Sequence, residues 1–179
     1  MNFFDRYFET ISKLIVLEKK TKFNQFVLEL KKTKKAKKKV ILFGNGGSAA
    51  MASHLSVDLT KACKIRAVNF NEADLLTCYS NDYGYENWVK EALNSYADKN
   101  DLVICISSSG TSKNIINAAL KAKKMECRVV TFSGFGKNNP LKKIGKINFW
   151  IDSSNYNIVE MTHHIWILSI CDYILSSKF

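Results

Sequence analysis

A chain of 179 residues with 46% apolar composition is long enough to bury a full core within one domain. Its net charge of +11 raises the question of nucleic acid, but seven of the 27 basic residues fall in the run Lys31-Lys32-Thr33-Lys34-Lys35-Ala36-Lys37-Lys38-Lys39, where no aromatic side chain is interleaved for base stacking. A solvated lysine-rich connector is expected there, and no nucleic-acid partner. Five cysteines (Cys63, Cys78, Cys105, Cys127, Cys171) form no C-x-x-C pair, and their odd number argues against a disulfide framework. Together with an opening Met-Asn-Phe-Phe-Asp-Arg that lacks the layout of a signal peptide, this leads us to expect a reduced, cytoplasmic setting.

Residues 3–32 carry apolar side chains at helical spacing: Phe4, Tyr7, Phe8, Ile11, Leu14 and Ile15, then Phe23, Phe26, Val27 and Leu30. This predicts two helices or one bent helix ahead of the sheet, with Thr10 or Thr21 as caps. Strand 40–43, helix 48–63 and strand 66–70 follow. A loop is expected around Asn71, Glu72 and Asp74, a turn at Asn81-Asp82-Tyr83-Gly84, and a helix from about Tyr85 to Tyr96. The remainder alternates: strand 102–106, helix 113–125, strand 128–132, an irregular stretch 134–140 holding the single Pro140, strand 147–151 and helix 158–176.

Short apolar strands alternating with helices imply an α/β fold whose parallel sheet is covered on both faces. Neither a repeat nor a linker divides the chain, so one domain over 1–179 is expected, with N-terminal helices over 1–38 and the sheet with its covering helices over 39–176. Asn157, Glu160, His163, His164 and Asp172 break up the most apolar segment, near 158–175, so no membrane span is expected. The last helix is nonetheless apolar around most of its circumference. One sheet face cannot bury it, and burial in an oligomer is the natural remedy.

Two strand-to-helix turns carry the chemistry. Val40-Ile41-Leu42-Phe43 runs into Gly44-Asn45-Gly46-Gly47-Ser48, where glycines let a ligand approach the main chain and the helix start favours an anion. The loop is neither a P-loop nor the dinucleotide fingerprint, since no Gly-Lys-Ser/Thr follows and Ala49 stands three residues after Gly46. Alone it is equally a tight turn with no ligand. Leu102-Val103-Ile104-Cys105-Ile106 runs into Ser107-Ser108-Ser109-Gly110-Thr111-Ser112, which supplies neutral hydroxyl donors for phosphate oxygens, with Ser112 also able to cap the next helix. Paired at the carboxyl edge of a parallel sheet, the two loops favour a phosphate site over two plain turns.

The sequence resembles the sugar isomerase (SIS) domain family, and within it the phosphoheptose isomerases. The motifs that carry this are Gly44-Asn45-Gly46-Gly47-Ser48-Ala49 followed by His54, then Asn81-Asp82-Tyr83-Gly84-Tyr85, then Ser107-x-Ser109-Gly110-x-Ser112-x-Asn114, so that it covers about residues 40–176. The resemblance implies a three-layer, flavodoxin-like, five-stranded parallel sheet and a homotetramer with active sites shared between subunits. It implies an isomerase converting a phosphorylated ketose to an aldose, sedoheptulose 7-phosphate above all, for lipopolysaccharide or capsule synthesis. Carried across, Ser48, Ser107, Ser109 and Ser112 contact the phosphate, Asn45, Asp82 and Ser108 face the sugar chain, and Gly46 and Gly47 let it lie close to the backbone.

Aldose–ketose isomerisation passes through an enediol and needs a base, an acid and preferably a cation. His54 and Asp58 share a helix face at i, i+4. In the family these positions carry a histidine and a glutamate, both zinc ligands, the glutamate being the proposed base. Asp58 is one methylene shorter. The family's Gln before the glutamate matching Glu160, and its His eight residues after that Gln, fall on Val159 and Ile167 here. Two of the four zinc ligands implied by the resemblance are therefore missing, one of them the second acid/base. Glu160, His163 and His164 stand nearby on the same helix. They are expected either to complete a site with His54 and Asp58 of another subunit, or to form a buried Glu–His pair at an interface. A non-catalytic SIS module that binds a phosphosugar or a protein is the alternative to the enzyme.

Overall fold

The computed structural model describes residues 2–176. Helices α1 (Phe3–Leu17) and α2 (Lys20–Lys35) precede strand β1 (Val40–Phe43), helix α3 (Gly47–Val57) and strand β2 (Ala67–Asn69). Helices α4 (Ala73–Tyr83) and α5 (Trp88–Tyr96) lead to strand β3 (Leu102–Ser107), and α6 (Lys113–Lys124) to strand β4 (Arg128–Ser133). A 3-10 turn (Leu141–Lys143), strand β5 (Ile147–Trp150) and helix α7 (Tyr156–Ser176) complete the order. All five strands are parallel in the order β2-β1-β3-β4-β5, the parallel sheet expected from the alternation and the flavodoxin-like arrangement that the resemblance implies.

The central strands β1 and β3 are buried throughout and almost wholly apolar because both faces are covered, and the strands' period of two divides the core. Val40, Leu42, Leu102, Ile104, Val130, Phe132 and Phe149 point toward α2, α3 and α7. Ile41, Phe43, Val103, Cys105 and Val129 point the other way, toward α5 and α6. The Phe132 and Phe149 rings stack at 4.6 Å on the first side. Trp166 of α7 reaches out from that core and donates its indole N–H to the Ile15 carbonyl at 2.9 Å, tying α1 to the body.

Several expectations are corrected. Helix α1 is capped by Asn2, whose side chain accepts from the Asp5 amide while the Asp5 carboxylate accepts from the Asn2 amide. Thr10 bonds back to the Arg6 carbonyl, and α2, with Lys19 at its N-cap and Thr21 inside it, has no side-chain cap. The expected loop around Asn71, Glu72 and Asp74 and the expected turn at Asn81-Asp82-Tyr83-Gly84 are joined by helix α4, which takes in Asp74 and the first three turn residues. Leu75, Leu76 and Tyr79 of α4 pack on the second core at helical spacing, and Gly84, at φ +79°, ends the helix. The expected helix 48–63 changes character at Asp58, where a π-helical turn (Asp58–Ala62) begins and the Cys63 amide bonds to the Asp58 carbonyl.

Among the described residues, α7 is long and apolar enough by length and composition to cross a membrane, but half of that stretch is buried within the fold. Its remaining apolar surface includes Met161 and Ile165, each 42% exposed. No residue of α1 is buried, and Phe3, Phe4 and Phe8 are all more than 60% exposed. The five cysteines are free thiols, Cys78 alone being exposed.

Candidate active site

Because β2 lies on one side of β1 and β4 on the far side of β3, the chain leaves these two adjacent strands in opposite directions. Their carboxyl ends therefore part and leave a crevice. A cavity of about 270 Å³ fills it, lined by Asn45, Gly46, Gly47 and Ser48 from the first turn, Ser107, Ser108, Ser109 and Ser112 from the second, and Tyr156 and Glu160 from α7. Eight of the nine residues expected to bind substrate thus line one cavity. Asp82 does not. It lies exposed on α4, its carboxylate turned to Cys78 Sγ at 3.7 Å and Asn81 Nδ2 at 3.0 Å.

Both helices entering the crevice start without a side-chain cap. Gly46, at φ +54°, holds the N-cap position of α3 and has no side chain to offer. Ser112 holds that position on α6, but its hydroxyl is turned to Ser107 Oγ at 3.2 Å instead of to the helix, which corrects the expected cap. Two positive helix ends and a row of hydroxyls therefore face the same small space, a setting suited to an anion.

The turns are braced from behind. Asn45 and Asn114 exchange both amide bonds, at 3.0 and 2.8 Å, and Tyr85 Oη donates to Asn45 Oδ1 at 3.2 Å. Asn45 thus clamps the glycine turn to α6 while lining the cavity. Asn114 and Tyr85 were visible in the motifs, yet no sequence signal separated this bracing role from ligand contact. Tyr156 lines the cavity from the first turn of α7 and carried no signal of its own. A side chain on Gly110, at φ +67°, would strike Asn139.

Helix α7 places its polar residues differently from one another. The Glu160 carboxylate lies against Gly47 at the mouth of the crevice, with Ser108 Oγ donating to Oε1 at 3.4 Å. His163 is fully buried, with Phe132 edge-on at 5.5 Å and Nε2 at 3.1 Å from the Ser133 carbonyl oxygen. Burial pushes its imidazole down to about pKa 4. It is a neutral core residue, so its expected catalytic role is corrected. His164 turns instead toward α3. Its Nε2 is 3.0 Å from His54 Nδ1, and on the other edge of that ring His54 Nε2 is 3.6 Å from Asp58 Oδ2. Partial burial and the neighbouring His54 lower the His164 pKa. These three residues meet within one chain, not across two subunits as expected.

This donor set does not fit the zinc site that the resemblance implies. The two nitrogens of one imidazole point apart, so Asp58 and His164, facing opposite edges of His54, do not converge on a common point. Val159 and Ile167, at the positions of the missing ligands, are fully buried, and the Val159 methyls press on Gly134. Among the described residues no group of three or more His, Cys, Asp or Glu side chains is placed to hold a metal.

The SIS domain family matches residues 2–134, a stretch that ends before β5 and α7. The chain is 35% identical over 144 residues to a phosphoheptose isomerase of Helicobacter pylori, covering 76% of this chain and 73% of that one. It is 32% identical over 174 residues to the phosphoheptose isomerase of Aliarcobacter butzleri, covering 93% and 90%. The solved structure of a phosphoheptose isomerase from Francisella tularensis superposes with a TM-score of 0.88 at 22% identity, over 99% of this chain and all of that one.

Proposed function

Since this chain belongs to the SIS domain family, with its relatives among the phosphoheptose isomerases, we propose that it is an aldose–ketose isomerase acting on sedoheptulose 7-phosphate. The observation that carries the reading is the crevice between β1 and β3, where two uncapped helix ends and the serine turn converge on one anion-sized space. The sugar's phosphate monoester belongs there, held by backbone N–H groups and by Ser48, Ser107, Ser109 and Ser112.

The length of the sugar agrees with the position of the acid/base residues. His54 follows Gly47 by seven positions on α3, which sets it roughly 10 Å along the helix axis from the crevice. An extended heptulose 7-phosphate, at roughly 1.3 Å advance per single bond, spans about 9 Å from its phosphorus to C2. With the ester in the crevice, C1 and C2 reach His54 and Asp58. Glu160, at the crevice mouth beside Gly47, accepts hydroxyl groups from the middle of the chain and repels a second anion. The reaction removes a proton from C1, protonates O2 to give the enediol, and then returns a proton to C2 as O1 loses its own.

The exposed phenylalanines of α1 and the apolar strip on α7 support a homo-oligomer, which we take to be a tetramer with its sites close to subunit boundaries. Such an enzyme works in the cytoplasm and supplies heptose for surface polysaccharide. Incubation of the pure protein with sedoheptulose 7-phosphate, followed by NMR, is expected to show a new aldose phosphate. Tight binding without turnover would favour instead a phosphosugar-binding module, the second reading that apolar Val159 and Ile167 support.

A further inference from the structure

We infer that Tyr156 is a specificity-determining residue that closes the phosphate end of the crevice from the α7 side. Its hydroxyl donates to the ester and its ring covers the carbon that bears it, a role that rests on the reading above of the crevice as a sugar-phosphate site. Tyr156 lines that cavity together with the serine turn and Glu160. Tyr156, Glu160 and His164 stand four positions apart and share one broad face of α7. That face runs beside α3, with Glu160 against Gly47 and His164 against His54. Tyr156 therefore lies beyond Glu160 at the end remote from His54, which is the end the phosphate takes.

The tyrosine is held from outside the crevice. Its ring meets Phe135 edge-on, with centroids 4.8 Å apart. Phe135 packs against the first core with its backbone in the left-handed region, at φ +54°. A bulky residue stays in that region only where its surroundings over-determine it. Two main-chain bonds of 2.8 Å do so here, from the Gly134 N–H to the Ser108 carbonyl and from the Phe135 N–H to the Ser153 carbonyl. The first ties the end of β4 to the serine turn, and the second ties it to the segment that leads into α7. Tyr156 is thus placed relative to the serine turn by the backbone.

Its chemistry completes the crevice wall. The serine hydroxyls and the two helix ends donate from the sheet side, whereas Glu160, the other α7 residue lining the cavity, carries a carboxylate. Tyr156 is 57% exposed, and no described residue bonds its hydroxyl. The phenol can turn its O–H to a phosphate oxygen, a charge-assisted bond, while the ring faces the ester methylene.

The test uses the full chain and two probes, inorganic phosphate and sedoheptulose 7-phosphate, with Kd read by calorimetric titration beside KM and kcat. Tyr156→Phe keeps the ring and is expected to weaken both probes by a similar factor, about tenfold. Tyr156→Ala should weaken inorganic phosphate no further, but the sugar phosphate by about another fivefold, because only the ester has a carbon under the ring. KM should follow Kd with kcat within about twofold of the wild type, since Tyr156 lies away from C1 and C2. Phe135→Leu should raise KM in the wild-type background and not in Tyr156→Ala, because Phe135 acts through the tyrosine. Both Tyr156 variants binding the two probes as the wild type does, or a loss confined to kcat, would overturn the role given to Tyr156. Wild-type protein that binds neither probe would overturn the crevice reading and this role with it. Wild-type protein that binds both without turnover would dismiss the isomerase alone, and the Kd comparisons would still decide for or against Tyr156.

Discussion

The Glu160 carboxylate of α7 occupies the space in which Gly47 of α3 would carry a side chain. This contact joins the last helix to the first crevice turn. The first prediction follows from it. Gly47→Ala displaces the end of the half-buried Glu160 side chain from the crevice mouth at little cost to the fold. Steady-state kinetics should show KM for the phosphosugar rising at least tenfold, while Glu160→Gln, which keeps the shape, raises it less.

Helix α6 begins at Ser112 with its cap position unfilled, and that vacancy is useful only if an anion fills it. Ser112→Asp should therefore stabilise and inactivate the protein together. The carboxylate caps the helix and adds about 0.5–1 kcal/mol. It also claims the amides that we propose for the phosphate. A thermal melt should move upward while calorimetric titration with inorganic phosphate shows no binding.

His163 makes the protein sensitive to acid without touching its chemistry. Its folded pKa is depressed from 6.5 to about 4, so the unfolded chain takes up a proton that the folded chain refuses. Stability contributed by the neutral ring is complete above pH 6.5 and is lost as pH falls toward 4, by roughly 3 kcal/mol in all. In His163→Gln the melting temperature should fall less steeply between those two pH values, and kcat at neutral pH should stay near that of the wild type. A wild-type slope retained in the variant would assign the acid sensitivity elsewhere.

Assembly can be tested on α1. Phe4 and Phe8 are 65% and 62% exposed, so replacing both with Ser removes apolar surface without opening the core of the subunit. Sedimentation velocity should show the oligomer giving way to smaller species, with far-ultraviolet circular dichroism unchanged.

The architecture was legible because each apolar strand is bounded by a turn of unmistakable composition: Gly44 to Gly47 after β1, and the serines from Ser107 after β3. Both crevice turns were readable for the same reason. Helix α4 was not, since its core contact is limited to Leu75, Leu76 and Tyr79 among Asn, Asp and Ser residues that suggest a loop. The candidate acid/base residues were only partly readable. Adjacent His163 and His164 differ by about 100° around α7, and the pattern of one helix does not say which of them meets the core. That depends on Phe132, Ser133 and His54, which lie far away in sequence. Asn45 shows the same limit, because its amide is committed to Asn114 across 69 positions.

The contact between Val159 and Gly134 bears on how readily this site could change its chemistry. Both methyl groups of Val159 lie within 3 Å of where a side chain on Gly134 would begin, and Ile167 is sealed in the core two turns further on. Glutamine and histidine at these positions would place polar groups in tightly filled apolar space, each a loss of several kcal/mol. Acquiring these two side chains one at a time, by drift or by design, therefore passes through unstable proteins, and the packing of α7 holds its present residues in place.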